Sequence, residues 1–350
     1  VSQTRVALLG VGLIGGSIGM AARSRLGAHV VGWNRSPAAL DVALKCGAID
    51  EAVASLDEIQ TADVAIASVS VDALPRAVTD LCDRLPGAVV SDVGSTKQAL
   101  VEAVDHEHFV GGHPLAGAES IGVAHAREDL FDGATWYLTP RERTPGVLYE
   151  RLARFVAGLG AVPTAIGAAE HDRLMAAVSH LPHVVANLLV EQAAQALGGA
   201  TLPATGPSFR DATRVAGSNP PLWGQIYRSN ATALGEQIDD LLLRLGQVRE
   251  LLRDGGDLSA WQARAALHRA ALRKVGGPGD ALREIRVSVP NKPGTVAQIA
   301  LELGRAGINI SDMTLAPESD NRTGVIALWV AGEQADRAIE LVSGLGHPAA

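Results

Sequence analysis

The segment Gly10-Val11-Gly12-Leu13-Ile14-Gly15 constrains this chain more than any other. It reads G-x-G-x-x-G, directly after the apolar run Val6-Ala7-Leu8-Leu9 and ahead of a stretch with helical spacing from about Ile14. Strand, glycine turn and helix in that order open a βαβ unit that binds a dinucleotide. The first glycine permits the tight turn, the second lets the backbone approach a pyrophosphate, and the third lets helix and strand pack closely. The helix start adds N–H groups and a partial positive charge for a phosphate. Glycine-rich turns are common by themselves. The strand before this one, and the second strand His29-Val30-Val31-Gly32-Trp33 after it, make the pattern specific.

The alternation continues from Arg5 to about Pro163. A helix starts near Ser36-Pro37, and Val64-Ala65-Ile66-Ala67-Ser68-Val69 and Ala88-Val89-Val90-Ser91 read as two more strands. This predicts an α/β domain over 1–166, a Rossmann-type doubly wound parallel sheet covered on both faces. From about Ala168 the texture turns helical. Glu170 to Leu197 is one long Ala/Leu/Val stretch in which Pro182 is expected to introduce a kink. After a break at Gly198 to Pro207, two further helices are expected, roughly Leu222 to Arg253 and Ser259 to Lys274. These form an all-α domain over 167–275. Gly276 to Asp280 is a linker. Beyond it come a strand Leu282 to Val289, a turn Pro290-Asn291-Lys292-Pro293-Gly294, a helix Thr295 to Ala306 and the segment Gly307-Ile308-Asn309-Ile310. A strand near Gly324 to Val330 and a helix near Gln334 to Leu345 complete a β-α-β-β-α order over 283–350, which fits a ferredoxin-like α+β module.

Composition narrows the partners. A chain of 350 residues needs more than one core, and 47% hydrophobic residues supply them. A net charge of -8 argues against nucleic acid, which favours a basic face. It leaves a small anionic substrate open, since one arginine can capture a carboxylate. The two cysteines, Cys46 and Cys82, have neither CxxC nor metal-ligand spacing. No signal-peptide pattern and no apolar run long enough to span a bilayer are expected, so the expectation is a soluble cytoplasmic protein.

The second strand ends in Trp33-Asn34-Arg35-Ser36, where an NAD-preferring site usually carries Asp or Glu. Asn34 has no charge to repel a 2′-phosphate, and Arg35 with Ser36 offers it partners, so the choice leans towards accepting NADP. Arg35 lying on solvent, or stacking on the adenine of either cofactor, is the alternative. Ser68, at the end of the third strand, is a further cofactor contact.

Three polar clusters lie outside the glycine turn. Asp92-Val93-Gly94-Ser95-Thr96-Lys97 sits at the C-terminal end of a strand, the edge at which open α/β sheets bind ligands. Ser95 or Thr96 is also placed to cap the helix that follows. Gly111-Gly112-His113-Pro114-Leu115-Ala116-Gly117-Ala118-Glu119 reads as an irregular loop. Ser179-His180-Leu181-Pro182-His183 is the third, together with Ser208-Phe209-Arg210-Asp211-Ala212-Thr213-Arg214. His180 and His183 share a helix face at i, i+3, but no third metal ligand is evident, and no metal is expected. Arg210, Asp211 and Arg214 also fit a helix-terminal salt-bridge cluster.

Taken together, these clusters resemble the prephenate dehydrogenase family (TyrA type) of tyrosine biosynthesis. The matching segments are Gly10 to Ser17, Asp92 to Lys97, Gly112 to Gly117, Ser179 to His183 and Phe209 to Arg214, with Leu222-Trp223 following at the family's spacing. The likeness covers about residues 4 to 275. The tail resembles an ACT domain, a module that often binds amino acids. The resemblance implies oxidative decarboxylation of prephenate to 4-hydroxyphenylpyruvate with hydride transfer to NAD or NADP. It implies His113 as the base that takes the hydroxyl proton and Ser95 as a group that bonds that hydroxyl or His113. Arg214 would bind a substrate carboxylate, bidentately as a guanidinium can. His183 and His180 would line the pocket, with Glu119 and Trp223 nearby. It further implies a homodimer formed through the helical domain, and tyrosine as an effector held by Asn291, Gly294, Ile308 and Asn309. A dimerisation module that has lost its ligand is the alternative for the tail.

Three other readings remain open at this point. Arogenate dehydrogenase uses the amino form of the same substrate. A β-hydroxyacid-type dehydrogenase shares the architecture but wants a catalytic Lys on a helical face, and this helical stretch has almost none before Lys274. A non-catalytic nucleotide and amino-acid sensor would keep the glycines and the tail, with no reason to keep His113 and Arg214.

Overall fold

The computed structural model describes residues 3–350 except 117–119, 142, 197, 199–204, 274–281, 291–294, 296–297, 300–301, 304–305, 307, 309, 311 and 318–322. The chain forms two compact units, Val1–Leu243 and Arg244–Ala350.

The first unit opens with β1 (Arg5–Leu9), α1 (Leu13–Leu26), β2 (His29–Trp33), α2 (Pro37–Lys45), β3 (Glu51–Ala52), β4 (Val64–Ala67), α3 (Leu74–Arg84) and β5 (Val89–Asp92). The five strands pair in parallel in the order β3-β2-β1-β4-β5. Because successive side chains point to opposite faces, Val6 and Leu8 enter one core while Ala7 and Leu9 enter the other. A strand buried on both sides has to be apolar throughout, which is why these runs do not alternate. The chain leaves β1 towards β3 and returns on the other side as β4. The crevice between the C-terminal ends of β1 and β4 is therefore the switch point at which such sheets bind ligands.

After α4 (Gln98–Ala103) come β6 (Gly111–Pro114), β7 (Thr135–Thr139), α5 (Gly146–Gly158) and β8 (Val162–Ala165). They form a second sheet, β6 antiparallel to β7 and β7 parallel to β8. His113 thus lies in a strand opposite Tyr137, and not on an irregular loop. Gly111-Gly112 has no strand pattern, since glycine is poor in strands. It is there because the backbones come too close for a side chain. A Cβ on Gly112 would lie 2.6 Å from the Asp92 carbonyl oxygen, and one on Gly111 would collide with Thr139 Oγ1.

Helices then follow: α6 (Ala168–Met175), a π-helical turn (Ala176–His180), α7 (Leu181–Ala196), α8 (Pro207–Thr213), α9 (Pro220–Ser229) and α10 (Ala231–Asp254). The disturbance expected from Pro182 takes the form of that π turn, where the Leu181 N–H bonds the Ala176 carbonyl five residues back. Proline has no N–H to continue the regular ladder. The helix expected from Leu222 to Arg253 is two helices, broken at Asn230, and α8 precedes them, so the count of two further helices was too low. Ala168–Ala196 as a whole is long and apolar enough to cross a membrane by length and composition, contrary to the sequence expectation. Its first half nonetheless buries His171, Asp172 and His180 in hydrogen bonds within the protein.

The second unit holds the end of α10, α11 (Leu258–Arg273), β9 (Leu282–Pro290), β10 (Asp312–Pro317), β11 (Thr323–Ala331) and α12 (Ala335–Gly344). The strands form an antiparallel sheet in the order β10-β11-β9, over a core containing Ile285, Val287, Ile326, Leu328, Ala338 and Val342. The second strand lies at Asp312–Pro317, a few residues beyond Gly307 to Ile310. Residues 348–350 hydrogen-bond along β9 after α12.

One buried charge pair pins the first unit's two sheets. Lys97 and Asp92 are both fully buried and form an ion pair, and Asp92 also accepts the N–H groups of Gly94 (2.7 Å) and Gly112 (3.0 Å). Removing one member of such a pair strands the other charge. Lys97→Met is expected to lower the unfolding free energy by about 3–5 kcal/mol in chemical denaturation. A loss below about 1 kcal/mol, the worth of a surface pair, would contradict this.

Candidate active site

The glycine turn sits at the switch point. Gly10 has φ +96°, a conformation that favours glycine, and a Cβ there would run into the Ser68 carbonyl oxygen. A Cβ on Gly15 would collide with the Gly10 carbonyl, so α1 can approach β1 only with glycine at that position. Gly12 differs: a Cβ there would meet no protein atom within 4 Å. Gly12 is the N-cap of α1, with no side-chain cap bond and no acidic residue in the first turn made by Leu13, Ile14 and Gly15. The open side of Gly12 and the helix start suit a phosphate-bearing dinucleotide. Asn34 Nδ2 donates to the Val11 carbonyl at 3.4 Å, tying the end of β2 to the turn. Arg35 and Ser36 beside it are exposed. Ser68, at the end of β4, packs against the same turn. The structure thus brings all the sequence-derived cofactor residues to one sheet edge.

A chain of imidazoles begins on β6 of the second sheet. His113, half-buried on β6, has Nδ1 at 2.9 Å from His171 Nε2, and His171 Nδ1 lies 2.8 Å from Asp172 Oδ1. Asp172 accepts two further bonds, from the backbone N–H of Lys97 to Oδ1 at 2.7 Å and of Gln98 to Oδ2 at 2.9 Å. The start of α4 is therefore capped by Asp172, and not by Ser95 or Thr96. Thr96 Oγ1 bonds Ser229 Oγ at 2.8 Å instead. Neither ring nitrogen of His113 bonds Ser95; its partner is His171.

Asn230, at the break between α9 and α10, extends the network. Its Nδ2 donates to the Asp172 carbonyl at 2.8 Å and to His180 Nδ1 at 3.0 Å. Nδ1 of His180 is then an acceptor, and its proton sits on Nε2. Trp223 on α9 meets His180 edge-on at 6.0 Å between ring centroids and stacks on His183 at 3.5 Å. Arg214, exposed at the end of α8, lies close enough for its charge to act on His183. The structure therefore brings His180, His183, Trp223 and Arg214 together. Glu119 lies outside the described residues, as do Asn291, Gly294 and Asn309. Ile308 is buried in the core of the second unit.

Three imidazoles are less basic than usual. Burial, followed by the positive fields of His171, Lys97 and His180, holds His113 well below its ordinary 6.5. His180 is pushed down to about 4, chiefly by burial. His183 is lowered by burial and by Arg214. A neutral His113 at pH 7 is able to accept a proton.

Sequence reading missed His171, Asp172, Asn230 and the structural part of Lys97. His171 and Asp172 sit within the polar run Glu170-His171-Asp172-Arg173, which reads as an exposed helix face and hides their burial.

Comparison with known proteins finds relatives over most of the chain. Residues 18–164 match the family described as "Prephenate dehydrogenase, nucleotide-binding domain", and 167–262 match "Prephenate dehydrogenase, dimerization domain". The prephenate dehydrogenase of Bacillus subtilis (strain 168) is 30% identical over 337 residues, 92% of this chain and 91% of that protein. The crystal structure of prephenate dehydrogenase from A. aeolicus in complex with hydroxyphenyl propionate and NAD+ is 28% identical with a TM-score of 0.72, covering 78% of this chain and 99% of that one. Synechocystis arogenate dehydrogenase is 29% identical with a TM-score of 0.63, over 78% and 98%.

The lowered imidazoles also link stability to acid. On unfolding, His180 regains its ordinary value of 6.5, so the unfolded chain binds a proton first as the pH falls. Its effect on stability is nil above 6.5 and grows increasingly unfavourable as the pH falls from 6.5 towards 4. His180→Asn, which keeps an acceptor for Asn230, should reduce proton uptake on unfolding near pH 5 by about one proton. An unchanged slope of stability against pH would contradict the burial of this group.

Proposed function

We propose, because the chain belongs to the prephenate dehydrogenase family, that it converts prephenate to 4-hydroxyphenylpyruvate by oxidative decarboxylation. The observation that carries this reading is His113, an imidazole kept neutral at the end of a buried histidine chain. A nicotinamide dinucleotide held by Gly10, Gly12, Leu13, Ile14, Gly15, Asn34 and Ser68 would supply the hydride acceptor. His113 takes the proton of the 4-hydroxyl as C4 loses hydride. Carbon dioxide leaves C1 and the ring becomes aromatic, which drives the step. The protein's task is then to hold the ring and move one proton. Ser95 bonds the same hydroxyl. Arg214 binds a carboxylate, and His183, His180 and Trp223 line the side-chain end.

Asn34, Arg35 and Ser36 support acceptance of NADP, since no carboxylate stands at the end of β2 to repel a 2′-phosphate. Arogenate is the alternative substrate. It differs only in its side-chain amino group, and the neutral histidines near that end favour the keto acid.

The homodimer is supported by exposed apolar side chains on the helices. Val178 is 59% and Leu188 55% exposed, and Leu242, Leu243, Leu252 and Leu267 exceed 60%. Such faces on a helical domain want a partner. Tyrosine as effector rests on the resemblance of the tail to an ACT domain, with the antiparallel sheet β10-β11-β9 in the second unit.

Formation of reduced cofactor with prephenate and with arogenate, each with NAD and NADP, tests the reaction directly. Turnover of prephenate is expected, and no turnover of either substrate would overturn the reading. His113→Asn should lower kcat by at least about 10²-fold with little change in KM, the usual worth of a general base. Near-normal kcat would remove His113 from the mechanism. Arg214→Ala should chiefly raise KM, and an unchanged KM would contradict its role. Light scattering at micromolar concentration should give a dimer, and tyrosine should raise the melting temperature. A monomer, or no response to tyrosine, would remove the corresponding proposal.

A further inference from the structure

We infer that Asp172 and His171 are positioning residues that fix which nitrogen of His113 is free to react. This deepens the reading of His113 as the base and rests on it. Asp172 is 2% exposed, and its carboxylate accepts from two backbone N–H groups, so it has no role except as acceptor. His171 Nδ1, 2.8 Å away, therefore carries the hydrogen. In the neutral ring this leaves His171 Nε2 as a bare acceptor. His113 Nδ1, 2.9 Å from it, must supply the hydrogen of that bond. The one remaining nitrogen, His113 Nε2, then has its lone pair exposed for the substrate hydroxyl.

Packing keeps the relay from reversing. The His171 ring is fully buried and lies edge-on to His113 at 5.1 Å and to Tyr137 at 5.6 Å between centroids. Tyr137 is the residue opposite His113 across β6 and β7, so both neighbours of the ring belong to the same pair of strands. A ring flip would break both of its hydrogen bonds, and in this buried place nothing replaces them. The reverse tautomer of His113 is disfavoured, because its bare Nδ1 would then face the bare Nε2 of His171 at 2.9 Å with no hydrogen between them.

The test uses the full-length protein. Long-range 1H–15N correlation spectra of histidine-labelled protein, with His113→Asn to assign the signals, report which nitrogen holds the proton. The expected result is His113 protonated on Nδ1 with Nε2 bare. Two substitutions separate position from structure. His171→Phe keeps the ring but removes both nitrogens, and His171→Gln offers Oε1 near the place of Nε2. His171→Phe should lower kcat by about 10²-fold with KM within about threefold, and should shift the His113 proton towards Nε2. His171→Gln should recover kcat to within about tenfold of wild type and restore the Nδ1 proton.

A wild-type His113 with its proton on Nε2 would overturn the proposal, and so would a His171→Phe protein whose kcat stays within about threefold of normal. Should His171→Phe fail to fold, the wild-type spectrum and His171→Gln decide. Absence of prephenate turnover by the wild type would remove the substrate assignment and leave the tautomer measurement standing by itself.

Discussion

The carboxylate of Asp172 is the point on which the first unit's site depends. It is buried, and a buried carboxylate without partners costs several kcal/mol. Its partners come from two places in the chain, the start of α4 through Lys97 and Gln98 and the adjacent His171, while the backbone carbonyl of the same residue accepts from Asn230. The helix α6 therefore cannot shift against the β5–α4 turn without leaving charge unsatisfied. The same turn carries Asp92 and Lys97, whose ion pair reaches β6 through the N–H of Gly112. Sheet edge, glycine strand and helical part are held by one connected polar network, and His113 ends one of its branches.

That arrangement uses glycine where backbones must nearly touch. Gly15 lets α1 lie on the turn before it, and Gly112 lets β6 lie on the end of β5. The first contact shapes the dinucleotide end and the second fixes the strand that carries His113. Gly12 is the exception, because its open side faces no protein atom, as a site for an approaching phosphate requires.

The parts of the fold legible in the sequence are those with a local signature. The parallel strands β1, β2, β4 and β5 are each built on a short apolar run, Val6 to Leu9, Val30-Val31, Val64 to Ala67 and Val89-Val90, and the glycine turn is explicit in G-x-G-x-x-G. The strand β6 was hidden because two glycines and a proline surround His113, and its reason to be a strand lies in Asp92 and Thr139, far away in sequence. The cap of α4 was misplaced for a similar cause. Ser95 and Thr96 are the local candidates, but a carboxylate from α6 does the work. His171 and Asp172 escaped notice because, on a regular helix, His180 lies about two and a half turns further on, at the opposite side. The π turn alters that register and lets Asn230 reach both His180 and the Asp172 carbonyl. Hydrophobic periodicity carries no trace of such a turn.

The central claim is that His171 acts on the reaction only through His113. A double-mutant cycle on kcat measures this directly, with His113→Asn, His171→Phe and the double variant compared with wild type. If the relay is real, His171→Phe costs nothing further once His113 is gone, and the double variant is as slow as His113→Asn by itself. Losses that multiply would show that His171 acts independently, and would contradict the account.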